Sequence, residues 1–164
     1  MGRKRDKSKA RQSSRERLGR EAVLDLLGEA RQKSAHPVRF LPVSVWPQNA
    51  LFVGARDPQL KGLTTGAFPQ GPASPSGSHP LFVLQAVGNL AHRVCPCSSQ
   101  RFFNQRYIEK GCKLDHTSFV LAERTYLVEE CRFQIPKDSA FLWSLRYWGR
   151  VPEGCLRRVT DDED

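Results

Sequence analysis

The chain has 164 residues, 39% of them hydrophobic, and a formal net charge of +9, enough for one domain with length left for a tail. Residues 1–20 hold nine Lys or Arg against Asp6 and Glu16, a net +7 that leaves +2 for the rest of the chain. No apolar run approaches the roughly 20 residues of a membrane span, and no signal-type apolar segment follows the basic start. The expectation is a soluble cytoplasmic domain carrying a basic arm.

The first residues lack apolar periodicity, and a basic run of this kind suits phosphate backbones or simple solvation. From Leu18 the pattern changes: Leu18, Ala22, Val23, Leu26, Leu27 and Ala30 share one helical face, predicting a helix over Arg17–Lys33 that ends at His36-Pro37. The arm and this amphipathic helix make up residues 1–34, a barrel domain residues 35–160, and an acidic tail residues 161–164.

Val38 to Val53 reads as one or two strands interrupted by Pro42 and Pro47, and residues 54–78, rich in Gly, Pro and Ser, read as a long loop. Two apolar patterns then stand out: His79-Pro80-Leu81-Phe82-Val83-Leu84-Gln85 and Thr117-Ser118-Phe119-Val120-Leu121-Ala122-Glu123-Arg124. Runs of this length, bounded by breakers, predict buried strands. Between them lies Val94-Cys95-Pro96-Cys97-Ser98-Ser99-Gln100.

Ser99 to Lys110 reads as a short helix stopped by Gly111, which Ser98-Ser99 can cap. Ser118 to Phe133 reads as one or two strands bent near Glu129-Glu130. Asp138 or Ser139 caps a turn into Phe141-Leu142-Trp143, and Gly149-Arg150-Val151-Pro152 leads to a short final helix. Trp143 and Tyr147, four residues apart, would share a buried helix face.

The five cysteines, Cys95, Cys97, Cys112, Cys131 and Cys155, are odd in number and lack a disulfide-framework spacing, which fits a reducing compartment. His92, Cys95, Cys97, Cys112 and His116 could supply a tetrahedral zinc site, but C-x-C is not the usual C-x₂-C knuckle. Cysteines within strand patterns are more often small buried hydrophobes.

Taken in order, His79-Pro80-Leu81-Phe82-Val83-Leu84, then Val94-Cys95-Pro96-Cys97-Ser98-Ser99, then Thr117-Ser118-Phe119-Val120-Leu121-Ala122-Glu123, then Trp148-Gly149-Arg150-Val151, the segments resemble the PemK/MazF family of toxin-type endoribonucleases over about residues 78–158. The resemblance implies a mainly β, α+β fold: a small SH3-like β-barrel with helices at its rim. It also implies metal-independent cleavage of single-stranded RNA with no cofactor, and an antitoxin protein and a second copy of the chain as partners. The chain departs from the family pattern in two places. His79 stands where the family has a catalytic arginine before proline, and no Gly-Asp dipeptide is recognisable between Val38 and Gly77.

Metal-free cleavage uses the substrate's own 2′-hydroxyl, so it needs proton transfer and stabilisation of phosphorane oxygens. His79 fits as acid or base, because an imidazole titrates near neutrality. Ser98 matches the family's hydroxyl, and Arg93 or Arg101 can replace the missing cation. Ser99, Arg101, Phe102, Arg106 and Arg124 are the expected RNA contacts, since rings stack on bases while guanidinium groups hold phosphates. The rival reading is a barrel that binds RNA or protein without catalysis, having lost the family's arginine.

Overall fold

The computed structural model describes residues 46–101 and 106–160, all within the expected barrel domain. The basic arm, the helix expected over Arg17–Lys33, Val38 to Val45, Phe102 and the acidic tail lie outside the described residues. The elements are β1 (Ala50–Arg56), α1 (Asp57–Leu63), β2 (Ser78–Val87), β3 (Ala91–Ser98), β4 (Arg106–Ile108), β5 (Thr125–Leu127), β6 (Phe133–Pro136), β7 (Arg146–Arg150) and β8 (Leu156–Arg158). Short 3-10 turns cover Glu129–Cys131, Ala140–Ser144 and Glu153–Cys155.

A strand with one wet face alternates, whereas a strand covered on both faces is apolar throughout. Leu81-Phe82-Val83 of β2 and Val94-Cys95-Pro96-Cys97 of β3 are buried without interruption, because they separate two apolar clusters. Inside the curl, Leu51, Phe82, Cys95, Cys97, Ile108, Leu114 and Leu127 pack together. On the outer face, Phe52, Leu60, Phe68, Leu81, Val83, Val94, Phe133, Ile135 and Tyr147 form the second cluster.

The strands follow the path β7-β1-β2-β3-β5-β4-β8, with β6 pairing β3 as well, and every pairing is antiparallel. Along its length β3 changes partner, from β6 at Ala91–Val94 to β5 at Cys97 and Ser98. Pro96 stands at that switch. Its carbonyl accepts from Val128 N at 2.9 Å, so its nitrogen faces the gap between β6 and β5, where the missing N–H interrupts no ladder.

The sheet curls until its ends nearly meet. A small hairpin, with Lys113 bridged to Val120, docks Asp115 against Arg150 of β7, where the two residues exchange backbone hydrogen bonds of 2.8 and 3.0 Å. Gly149, at φ +143°, permits this approach: a Cβ there would lie 2.7 Å from Leu114 Cβ and 2.8 Å from Asp115 O. Residues 151–155 then carry the chain from β7, at one end of the strand path, to β8 at the other. The result is a mainly β, α+β fold, barrel-like, with one α-helix among the described residues, and no helix there is long and apolar enough to cross a membrane.

Several expectations are corrected. Within the supposed loop over residues 54–78, β1 runs to Arg56 and α1 follows. Pro58 is tolerated in the first turn, where its missing N–H costs nothing, and Arg56 N donates to Gln59 Oε1 at 3.1 Å. The helix expected over Ser99–Lys110 is replaced at Arg106–Ile108 by β4, which pairs with both β5 and β8. Thr117 to Arg124 is not a strand but the return of the small hairpin, with Val120 54% exposed. The bend expected at Glu129-Glu130 is a 3-10 turn. Trp143 and Tyr147 do not share a helix face: Trp143 is 80% exposed on a 3-10 turn, while Tyr147 is buried on β7. The expected final helix is a single 3-10 turn followed by β8.

The cysteines also depart from expectation. Cys112 and Cys155 form a disulfide with a Cα–Cα distance of 5.8 Å, because the curl brings the hairpin against the turn before β8. Cys95, Cys97 and Cys131 are free and buried.

Candidate functional site

His79 is the second residue of β2 and Ser98 the last of β3. The ladder pairs Leu81 with Pro96 and Phe82 with Cys95, so continuing it outwards sets His79 opposite Ser98. Residues opposite each other in an antiparallel pair project to the same face. His79 Nδ1 lies 3.1 Å from Cys97 O, which ties the ring to the neighbouring strand. A carbonyl has no hydrogen to give, so Nδ1 carries the proton in that bond.

The second ring nitrogen meets a residue that sequence reasoning did not single out. Asp57, the first residue of α1, places Oδ1 at 3.2 Å from His79 Nε2, with 8% of the carboxylate side chain and 26% of the imidazole exposed. Asp57 is held from three sides: its N donates to Gly77 O at 3.0 Å, Ser74 N donates to Oδ2 at 3.1 Å, and α1 begins on its own backbone. Gly77 leaves the space the carboxylate occupies, since a Cβ there would stand 2.7 Å from Asp57 Cγ. Oδ1 accepts no well-aligned hydrogen bond among the described residues, and its 3.2 Å contact with Nε2 lies off the N–H axis.

Phe68 closes the site, its ring edge-on to His79 at 4.8 Å between centroids. Thr64 fixes that phenylalanine by accepting from Phe68 N at 3.0 Å while donating to Leu60 O at 2.7 Å. Ser98 is buried, and its Oγ accepts from Gln100 N at 3.1 Å. The hydroxyl hydrogen is left to donate elsewhere. The segment after β1 thus exists, in structural terms, to bring one carboxylate and one ring to the joined ends of β2 and β3.

The remaining predicted residues divide. Ser99 and Arg101 are exposed just beyond the end of β3. Arg106 pairs with Glu129, Nε to Oε1, at 2.7 Å. The Arg124 guanidinium lies over the Tyr107 ring, 4.4 Å from its centroid. Arg93 is not brought to the site. It lies five residues before Ser98 on β3, about 16 Å along a strand, and it pairs with Gln134 on the face opposite Val94 and Phe133.

No zinc constellation forms either. Cys95 and Cys97 belong to the inner apolar cluster, Cys112 is bonded to Cys155, and His92 packs against Trp46 at 5.4 Å on the outer face. Among the described residues no group of three or more His, Cys, Asp or Glu is placed to hold a metal ion. Burial raises the Cys97 thiol far above its ordinary value, and burial with the neighbouring Cys97 raises Cys95. Thiols kept protonated in this way serve as core side chains, not nucleophiles.

Comparison of the chain with models of protein families, with curated proteins and with solved structures found no match in any of the three.

Proposed function

We propose that the chain is a metal-independent endoribonuclease of the PemK/MazF type, cleaving single-stranded RNA on an SH3-like barrel. The observation that carries this reading is His79 at the start of β2, its ring held between Cys97 O and Asp57, beside the end of β3 that carries Ser98.

In the proposed reaction the substrate 2′-oxygen attacks phosphorus and the bond from phosphorus to the 5′-oxygen breaks. A 2′,3′-cyclic phosphate and a free 5′-hydroxyl result. The 2′-proton leaves to solvent, and the departing 5′-oxygen needs a proton in return. His79 supplies it from Nε2: with Nδ1 donating to Cys97 O and Nε2 beside the Asp57 carboxylate, the ring is placed as a proton donor. The off-axis contact to Asp57 leaves Nε2 able to turn its proton to a substrate oxygen. Ser98 Oγ donates to a non-bridging oxygen as charge develops there. Arg101, exposed three residues beyond Ser98, takes over the cation assigned to Arg93. Asp57 positions His79 without touching the substrate.

One observation favours a second reading. Both ring nitrogens of His79 face protein acceptors, an arrangement that also serves a fixed cation binding RNA or an acidic partner without cleavage. The two readings separate in a metal-free assay on a long single-stranded RNA. Discrete fragments from the wild type, reduced roughly 100-fold or more by His79→Ala and strongly by Ser98→Ala, support the nuclease. Binding without cleavage supports the module. The nuclease reading places the protein in the cytoplasm with its RNA, and keeps an antitoxin protein and a second copy of the chain as the partners its type implies.

A further inference from the structure

The inner face of the curl is apolar as far as Cys95 and changes character beyond it, towards the turn between β2 and β3. Arg93 lies two residues before Cys95 on the same face of β3, about 7 Å along the strand, and its cross-strand partner is Gln134 of β6. Arg132, two residues before Gln134, belongs to that face as well. Beyond the 3-10 turn Glu129–Cys131, Arg106 of β4 pairs directly with Arg158 of β8. Ile108 and Leu156, two residues away on each strand, pack in the inner cluster, so both arginines project inwards.

Four guanidinium groups thus gather around a single carboxylate. Glu129 Oε1 accepts from Arg106 Nε at 2.7 Å, and Glu129 O accepts from Arg132 Nη1 at 3.1 Å. The side chains of Arg93 and Arg158 form no ion pair or hydrogen bond among the described residues. Burial and the neighbouring Cys97 raise the Cys95 thiol, Glu129 raises it further and Arg106 lowers it, so this pair lies over the end of the inner cluster that Arg93 borders. The next carboxylate, Glu130, acts instead on Cys131 of the outer cluster.

Like charges directly opposite one another destabilise a sheet. Glu129 engages one edge of Arg106 and leaves its terminal amino groups, and the facing Arg158, unanswered. Guanidinium groups carry paired N–H donors that match phosphate oxygens, and the mouths of β-barrels are common ligand sites. We infer that Arg93, Arg106, Arg132 and Arg158 form a phosphate-binding site at the mouth of the curl, with Glu129 holding the arginines at its centre. This site is separate from His79, which lies on the outer face against Phe68, and it stands without the nuclease reading. The phosphate belongs to an RNA backbone or to a free phosphate anion, two sources of one chemistry.

The experiment titrates the whole chain with inorganic phosphate by calorimetry and with a labelled, 2′-O-methylated single-stranded RNA by fluorescence anisotropy. Wild type, Arg158→Ala, Arg93→Ala and Arg146→Ala are compared, with thermal melting to establish that each is folded. Arg146, exposed on β7 at the other end of the strand path, controls for the loss of one surface charge. Arg158→Ala and Arg93→Ala are each expected to weaken phosphate binding about tenfold, the loss of one charge-assisted contact, and Arg146→Ala to leave it within about twofold. A parallel loss of RNA affinity, with phosphate competing, identifies the ligand as RNA backbone. Unchanged RNA affinity identifies a free phosphate anion. Loss of RNA affinity in both variants without binding of inorganic phosphate supports the site for RNA alone. No phosphate binding by the wild type, with RNA binding absent or indifferent to both substitutions, would overturn the site. Equal losses in Arg146→Ala would overturn it too, since overall charge would then explain them.

Discussion

Asp57 Oδ1 lies 3.2 Å from His79 Nε2, joining the first residue of a short helix to the outer end of a central strand. The carboxylate is buried and also receives Ser74 N, so on the proposed nuclease reading its removal is expected to touch both the placement of His79 and the path of residues 64–78. Asp57→Asn keeps the shape and removes the negative charge beside Nε2. It is expected to lower the turnover of RNA cleavage at least tenfold while leaving RNA affinity within about twofold, the split of a positioning residue. Asp57→Ala takes the acceptor from Ser74 N and should cost about 1 kcal/mol by urea unfolding. Unchanged turnover in Asp57→Asn would show that the pair only staples the loop.

Closure of the curl depends on Gly149. At φ +143° and with Leu114, Asp115 and Thr117 all within 3 Å of the place a Cβ would take, Gly149→Ala combines backbone strain with overlap. A loss of about 1–3 kcal/mol is expected, read from the urea midpoint. Gly154, whose added Cβ would meet nothing within 4 Å, is the control, and Gly154→Ala should shift the midpoint little. Equal shifts in the two variants would contradict the closure.

The disulfide offers a reversible handle. Cys112 and Cys155 are 43 residues apart in sequence, and their bond ties the small hairpin to the turn that introduces β8. Excess dithiothreitol is expected to lower stability by about 2–4 kcal/mol. Cys112→Ser should reproduce that loss and become insensitive to the reductant. A wild type with the same unfolding midpoint in both conditions would show that the bond contributes nothing.

Stability should also fall in alkali, and the direction follows from burial. Desolvation raises Cys97 and Tyr147 above their ordinary values of 9.0 and 10.0. As pH rises through those ordinary values the unfolded chain releases its protons while the folded chain keeps them. The unfolded state then binds fewer protons, so stability decreases with pH. Below about pH 8 the contribution is fully present, and it is lost progressively above about pH 9. Cys97→Ala and Tyr147→Phe should each flatten the fall in urea midpoint between pH 8 and about pH 10.5. Tyr147→Phe will also lower the plateau, because the hydroxyl bonds His116 Nδ1 at 3.0 Å. An unaltered slope in both variants would contradict the assignment.

What could be read from the residues alone follows from what each segment buries. β2 was legible because both of its faces are covered, which leaves an uninterrupted apolar run at Leu81-Phe82-Val83. β3 reads as a polar segment, since His92, Arg93 and Ser98 break its run, and it is read as a strand end only through the family resemblance. β4 and β5 were not legible, since three-residue strands at Arg106–Ile108 and Thr125–Leu127 are too short to display a period. Helix α1 was hidden by Pro58 and Gly62, residues that read as breakers although one lies in the first turn and the other near the end. At the candidate site, His79 and Ser98 were named from the family resemblance, and the structure sets them at neighbouring ends of β2 and β3. Asp57 could not be named, because the loop that returns it to His79 has no periodicity, and the Asp57-Pro58 pair at a helix start was the only signal. Arg93 misled for a geometric reason: nearness to Ser98 in sequence becomes distance along an extended strand.

The most direct test of the central claim is the chemistry of the product ends. A defined single-stranded RNA is incubated with the protein in chelator, and the fragments are resolved by mass spectrometry beside those from the same RNA carrying 2′-O-methyl groups. The account predicts fragments ending in 2′,3′-cyclic phosphate and beginning with 5′-hydroxyl, none from the methylated RNA, and none above background from His79→Ala. Intact RNA, or fragments that His79→Ala still produces, would contradict it.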